Sequence, residues 1–374
     1  MLSVVEVKTK KQRKEFVEYP LRLYKGNPYF VPPLYADEMA MFTSKNIYNK
    51  TCKSAFYLAQ RDGVTVGRIQ AIIQNQYNDI YNVKQVRFTR FDCENNPETA
   101  KALFDAAEAW AKSQGMDTVV GPLGYSDMER EGLLIEGFEY LATFEEQYNY
   151  DYYGALVESC GYVKDVDWVE SRLFSTPQQD ERLLKLAQRA MDKYNLHLVS
   201  GMSKGKFIKK YASSIFKCLD ECYKELYGFV PYTKEMMDQM IGQFKLFINL
   251  KYILAVCDED DNIVAFGFVL PGIGKALQKS GGKLTPACLI RLLKAIKKPE
   301  SIDLALIAIM PKYRKSGLSA LMMPMLQNML ADGSVKYLET NLNLESNITI
   351  QAGWKHFKNI QHKRRRSYIK KLTD

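Results

Sequence analysis

Residues 302–330 hold this chain to a narrow choice of folds. IDLALIAIM is an apolar, branched run without alternation, the pattern of a strand covered on both faces. It leads directly into PKYRKSGLSALMMPMLQNML, a Pro-headed basic turn with Gly317 and then an amphipathic helix. Strand, tight turn and helix in that order belong to an α/β unit. A helix start presents unpaired N–H groups and the positive end of a dipole, which suits a phosphate ester. Lys312, Arg314 and Lys315 add charge at that point.

The surroundings of this unit occur twice. In the first half a short strand near Val4–Val7 precedes a helix from Lys10 to about Lys25 and a second short helix beyond the prolines of NPYFVPPLYADEMAMF. AFYLAQRDGVTVGRIQAIIQN reads as a hairpin turning on Asp62-Gly63, a dipeptide that supplies the positive φ of a tight turn. A strand, QVRFTRFDC, a helix opened by Asn96-Pro97 and stopped at Gly115, and a strand, DTVVGPLG, complete the order. The second half repeats β, α, α, β, β, β, α, β from His197 to VKYLETNL, with an acidic turn in its hairpin and a basic insert before Ile302. A chain of 374 residues exceeds one ordinary core. The expected division is a first domain over 1–174, a linker helix over 175–195 and a second domain over 196–374, each a mixed α+β sheet structure of the α/β class.

Composition narrows the function. No apolar run approaches the roughly 20 residues that span a bilayer, and MLSVVEVKTKKQRKEF has no signal-type apolar core, so a soluble cytoplasmic protein is expected. The seven cysteines show no CxxC pair, and the three histidines stand at no ligand spacing to one another or to a cysteine. No metal and no Ser-His-Asp chemistry is expected. A net charge of +9 asks for an anionic partner: nucleic acid, a membrane surface or a phosphate-bearing cofactor. No aromatic-interleaved RNA signature or helix-turn-helix spacing is present, which disfavours nucleic acid. Nothing in the sequence sets the oligomeric state.

Arg314, Gly317 and Ser319 fall at the spacing of the phosphate motif of the Gcn5-related N-acetyltransferases (GNAT), although Ser stands where the family has Gly or Ala. ETNLNLESNITIQAGWKHFK resembles the family's later segment, with Asn347 matching its Asn and Trp354 standing where an acid Tyr often lies. The first half has Asp92, Glu94 and Glu98 at the corresponding helix start, where they would repel a phosphate. GPLGYSDMEREGLLIEGF and YNYDYYGALVESCGYVKDVD further resemble a group of bacterial two-domain acyltransferase-like proteins over roughly residues 50–170. The resemblance implies tandem GNAT-like acyl-CoA N-acyltransferase domains, the first degenerate. Acetyl-CoA or a longer acyl-CoA would be the co-substrate, held by Ala308, Ile309, Met310, Lys312, Arg314, Lys315, Ser316, Gly317, Leu318, Ser319, Ala320 and Asn347. Transfer would be direct, to the amine of a small or lipid-like acceptor near an interdomain cleft. A non-catalytic CoA-binding or regulatory protein of the same fold, and an aminoacyl- or peptidyl-type transferase, are the alternatives.

Several side chains carry two readings each. An indole cannot protonate a leaving thiolate, which leaves Tyr313 as a candidate acid. Glu339 is a candidate general base or a strand-edge ion pair, and Glu129 and Glu131 are candidate bases or helix-start acids. Tyr125, Ser126, Tyr148, Asn149 and Tyr152 would wall an acceptor pocket, or serve as an interdomain packing surface. Lys363–Arg366 would line a groove or form a solvated strand edge, and Met322, Met323, Met325 and Met329 would line a tunnel or fill a core. The basic amphipathic segment ACLIRLLKAIKK would cap a lipid-like substrate, make peripheral contact with an anionic membrane, or pack as an ordinary surface helix.

Overall fold

The computed structural model describes residues 1–176, 181–244 and 249–372. In chain order the elements are β1 (Leu2–Glu6), α1 (Lys10–Leu23), α2 (Tyr35–Ala40), β2 (Cys52–Arg61), β3 (Val64–Gln74), α3 (Asn75–Tyr81), β4 (Gln85–Cys93), α4 (Pro97–Ser113), β5 (Thr118–Gly121), β6 (Leu133–Glu136), α5 (Tyr153–Ser159) and β7 (Val163–Phe174). There follow α6 (Glu181–Lys193), β8 (His197–Leu198), α7 (Lys204–Tyr223), α8 (Lys234–Phe244), β9 (Ile253–Cys257), β10 (Ile263–Pro271), α9 (Gly274–Gln278), α10 (Pro286–Lys297), β11 (Ser301–Ile309), α11 (Met322–Leu330), β12 (Tyr337–Glu339), β13 (Asn343–Leu344), α12 (Ile348–Gly353) and β14 (Lys358–Lys371). The repeated order expected from periodicity is present in both halves, and the class is mixed α/β.

Local chemistry explains the strongest elements. Both Asp62 and Gly63 have positive φ, as the tight turn between β2 and β3 requires. The Asn96 side chain accepts the Glu98 N–H at 2.9 Å and Pro97 occupies the first turn of α4, so this helix start is already capped. Ala100, Leu103, Phe104, Ala107 and Ala111 form its buried stripe.

Packing divides the chain into two compact units. The first takes Met1–Val169, Ile273–Leu292 and the chain from His362 onward; the second takes Glu170–Gly272 and Leu293–Gln361. In the first the strands run β1-β2-β3-β4-β5-β14, with β4 and β5 parallel and β14 antiparallel to β5. In the second they run β8-β9-β10-β11-β12-β7, with β11 and β12 parallel and Leu173 of β7 antiparallel to Leu338 of β12. Each unit thus closes with a strand supplied by the opposite half of the sequence. The reading over 1–174 and 196–374 gave the last strand to the second half, because hydrophobic period identifies a strand but not its neighbour. Part of the expected linker, residues 177–180, lies outside the described residues.

The helix expected from Ser316 onward begins later. Two short 3-10 turns, Pro311–Tyr313 and Leu318–Leu321, precede α11. Pro324 is the cause: its ring excludes the carbonyl four residues earlier and it has no N–H, so it is tolerated only in a first turn. Met322 and Met323 are buried beside Leu304, Leu326 and Trp354, and Met325 and Met329 pack against that cluster, so these methionines fill the core of the second unit.

Candidate functional site

In the second unit two parallel strands part and leave an edge open. β11 and β12 pair only from Ser301↔Tyr337 to Asp303↔Glu339, after which β11 continues alone to Ile309 with β10 on its other side. Ala308 pairs with Phe266, and the Met310 N–H donates to the Val264 carbonyl at 2.9 Å. The backbone of Ala308 and the Met310 N–H are therefore spent on β10, the Met310 carbonyl accepts the Tyr313 N–H at 2.8 Å, and the backbone groups of Ile307 and Ile309 face the gap. Of the expected contacts Ala308, Ile309 and Met310, Ile309 faces the gap, joined by Ile307, and the other two do not.

Two side chains not singled out by sequence, Tyr223 and Asn341, meet that edge together with the expected Arg314. The Tyr223 hydroxyl, at the end of α7, donates to the Ile307 carbonyl at 3.1 Å and accepts the Ile307 N–H at 3.3 Å. Asn341 donates to the Ala305 carbonyl and Arg314 Nε to the Ile309 carbonyl, both at 3.4 Å. Arg314 Nη2 also reaches the Cys222 carbonyl at 3.3 Å. The neighbouring Cys222 thiol is pulled below its ordinary range, first by hydrogen bonding with Cys218 and then by Arg314, against the opposing effect of burial. No periodicity marks Tyr223, which sequence shows only as one aromatic residue among several on an amphipathic helix.

The turn after β11 departs in detail from a simple phosphate cradle. Lys312, Arg314, Lys315 and Ser319 are exposed, while Tyr313, Leu318 and Ala320 are buried. Most of its amides are already used: Arg314 N–H on the Pro311 carbonyl, Ser316 N–H on Tyr313, Ala320 N–H on Gly317, and Leu318 N–H on the Ser316 hydroxyl. Among the described residues the N–H groups of Lys315 and Gly317 have no partner. Gly317 has φ +91, and a Cβ there would lie 2.6 Å from Cγ of Leu186 on α6. Packing and backbone conformation both demand glycine at this point, independently of any ligand.

The remaining second-unit candidates are engaged structurally. Tyr313 lies in an apolar cluster with Met191, Leu196 and Leu318 and meets Tyr194 edge-on, which buries the ring expected to serve as an acid. The Asn347 side chain accepts the Ile350 N–H and caps α12, in place of the expected ligand contact. Trp354 is buried and its indole N–H donates to Asn343 at 2.8 Å. Glu339 is buried and ion-paired with Arg172 at 2.9 Å.

The first unit turns its distinctive segment inward. After Arg87↔Val120 the parallel pair β4 and β5 also separates, and the loop 122–132 enters beside it. A Cβ on Gly121 would sit 2.3 Å from the Phe88 carbonyl, which explains glycine where the chain leaves β5. The Tyr125 hydroxyl accepts from Gln70 at 2.8 Å, its ring stacks on Tyr48, and the Tyr48 hydroxyl meets Ser126 at 3.2 Å. Arg90 holds both carboxylate oxygens of Glu38, and Asp92 pairs with Arg68 at 2.8 Å. Tyr125, Ser126, Tyr148 and Asn149 are buried. Asn149 bonds both the N–H and the carbonyl of Leu134, and the half-buried Tyr152 donates to the Cys93 carbonyl. The expected acceptor wall is thus the polar interior of the first unit. These positions looked like a pocket because sequence reports that polar and aromatic groups cluster, not which way they point.

The acids of this segment do not start a helix; they lie in the irregular loop. Glu129 accepts the Tyr125 N–H at 3.1 Å, and burial raises its carboxyl against the pull of Arg90. Burial, with Asp127 nearby, pushes Glu131 well above the usual carboxylate range, and its Oε1 has no hydrogen-bond partner among the described residues. Burial likewise lifts Glu145 to about 7, with Arg130 opposing. The folded state keeps the Glu145 proton that an unfolded carboxyl loses near pH 4.5, so stability falls as pH rises from about 4.5 to about 7. Glu145→Gln is expected to raise stability on the order of 2 kcal/mol at pH 8 and to have no such effect below about pH 4.5. Urea unfolding at both pH values measures this, and an equal difference at the two would refute the assignment.

A separate cluster forms across the β8–β9 pair, where His197 faces Cys257. With Asp261 their candidate ligand atoms lie within 4.8 Å of one another, beside a cavity of about 340 Å³. Lys210 already pairs with Asp261, and Tyr211 donates to it at 2.7 Å, holding that carboxyl down at about 2. Spacing along the chain missed this grouping because strand pairing, not proximity in sequence, creates it.

No family model matches the chain. Protein YghO of Escherichia coli (strain K12) is 26% identical over 376 residues, which cover 97% of this chain and 94% of that protein. The bacterial ceramide synthase of Caulobacter vibrioides is 27% identical over 321 residues, covering 84% and 82%. Among solved structures, a tandem GNAT protein from the clavulanic acid biosynthesis pathway superposes with a TM-score of 0.56, covering 100% of this chain and 99% of that one at 11% identity.

Proposed function

With the tandem GNAT fold as frame, we propose that the second unit binds an acyl-CoA along the open edge of β11 and transfers the acyl group to the amine of a lipid-like acceptor. The observation that carries this reading is the gap beyond Asp303 and Glu339, where the backbone of Ile307 and Ile309 faces away from β10 just ahead of three exposed cations. A pantetheine arm has amides that would pair with such an edge as a further strand does, displacing the side-chain hydrogen bonds that Tyr223, Asn341 and Arg314 make to it. Lys312, Arg314 and Lys315, with the open N–H groups of Lys315 and Gly317, suit the pyrophosphate. No metal is required.

The acceptor amine attacks the thioester carbon as its free base, forming the C–N bond as the C–S bond breaks. The Tyr223 hydroxyl gives its proton to the departing thiolate, and the proton shed by nitrogen restores it through solvent. Trp354 has no acidic proton to give, and Tyr313 is buried away in the core. Holding donor and acceptor together supplies much of the acceleration, so no covalent nucleophile is needed. The acceptor class draws on the Caulobacter relative: a ceramide is the amide of a long-chain amino alcohol, the product such a transfer would make.

Thermal shift and amide detection by mass spectrometry test this reading. Long-chain acyl-CoA is expected to stabilise the protein and, with a long-chain 2-amino alcohol, to give the amide and free CoA. Lys312→Glu combined with Lys315→Glu, both exposed, is expected to weaken CoA binding at least about tenfold without loss of fold. Absence of a response to every CoA ester overturns the proposal.

A further inference from the structure

The helix α10 buries one narrow stripe and leaves an apolar face open. Cys288 and Leu292 point inward, with the Cys288 thiol and Arg291 Nε both reaching the Ala276 carbonyl. On the opposite side Leu289, Ile290 and Leu293 are 41%, 56% and 67% exposed, and Leu284 just ahead of the helix is 48% exposed. At 100° per residue, Leu289, Ile290 and Leu293 fall within about a quarter to a third of the helix circumference. Lys297 lies in the same arc one turn on, and Lys294 borders it. Lys294, Lys297 and Lys298 are exposed and have no acidic partner among the described residues. An amphipathic helix normally turns its apolar side to the core; this one carries large aliphatic residues on both sides.

We propose that the outer face of α10 docks on an anionic phospholipid bilayer. Leu289, Ile290 and Leu293 enter the boundary between headgroups and acyl chains while the three lysines meet lipid phosphates. Charge selects this occupant: Lys294, Lys297 and Lys298 stand exposed at the end of the apolar arc with no acidic partner among the described residues, and lipid phosphates supply the missing negative charge. It also fits the net charge of +9. The proposal stands on exposure and charge alone and does not rest on the acyl-transfer reading.

Co-sedimentation with vesicles of phosphatidylcholine, with and without phosphatidylglycerol, tests it on the full chain. Binding to the anionic vesicles only is expected, weakened by high salt. Lys294→Gln, Lys297→Gln and Lys298→Gln together are expected to weaken it at least about tenfold. Leu289→Ser, Ile290→Ser and Leu293→Ser together are expected to abolish it, with circular dichroism and thermal unfolding unchanged in both variants. Failure to sediment, or binding that survives both triple variants, overturns the proposal. So does a dimer in sedimentation velocity that the serine variant dissolves, which would make the face a contact between copies. Loss of amide formation with vesicle binding intact would instead count against the transferase reading alone.

Discussion

Tyr223→Phe is expected to lower kcat for amide formation about 100-fold while leaving the affinity for acyl-CoA nearly unchanged, the usual scale for loss of a positioned general acid. The reason lies in the exposed edge of β11. Tyr223 is the hydroxyl held there, by the Ile307 carbonyl and N–H, where the thioester end of the donor would arrive. Replacing it with Phe removes one oxygen and leaves the ring, so α7 retains its packing. A purely structural hydroxyl would give a different result: a stability loss of about 1 kcal/mol and an unaltered kcat. The pH profile separates the two roles further. Loss of the acid flattens the alkaline limb of kcat, which a packing defect does not do. An unchanged kcat together with an unchanged alkaline limb would remove Tyr223 from the mechanism.

Arg365→Met is expected to destabilise the first unit by about 3–5 kcal/mol, the range for removing one partner of a buried ion pair. Arg365 is fully buried in β14, with Nη2 3.3 Å from Glu146 and Nη1 donating to the Gln147 carbonyl. Lys363, also buried, lies 3.5 Å from the same carboxylate and cannot replace the lost fork of donors. An alternating basic strand read as a groove lining or a solvated edge is therefore an internal strand, whose inward residues neutralise the 146–147 segment. For a unit of this size the loss corresponds to a fall in Tm of about 10 °C. Trp110 and Trp168 lie in the first unit, so most of the tryptophan fluorescence change follows its unfolding. Arg364→Met, at a partly exposed pair with Asp167, is the matched control and should cost well under half as much. Equal losses for the two would show that burial of Arg365 is not what matters.

Much of the architecture was legible in order of elements. The Asp62-Gly63 turn, the Asn96-Pro97 helix start and the apolar strand 301–309 are decided by neighbours a few residues away, and each appears where its local chemistry puts it. The site was less legible, for three separate reasons. Pro324 delays α11 and replaces the expected helix start with 3-10 turns, a local signal that the amphipathic pattern masked. Ile307 joins the expected Ile309 at the gap, and Ala308 and Met310 turn from it, because the hydrogen-bonding register with β10 assigns alternate residues to alternate sides. Tyr223, Asn341 and Cys222 reach that edge from elements far apart in the chain, so no motif contains them.

The sequence alone determined the duplicated layout, the basic turn after β11, and the Asn96 cap and surrounding acids at the start of α4, since all follow from spacing and residue type. Only the tertiary structure decided which strand closes each sheet, that the Tyr125–Ser126 segment points inward, and that Tyr223 stands at the open edge of β11. Periodicity reports that a face is apolar or polar; the partner it meets is set by pairing between distant segments, where register and burial choose among side chains that look equivalent in one dimension.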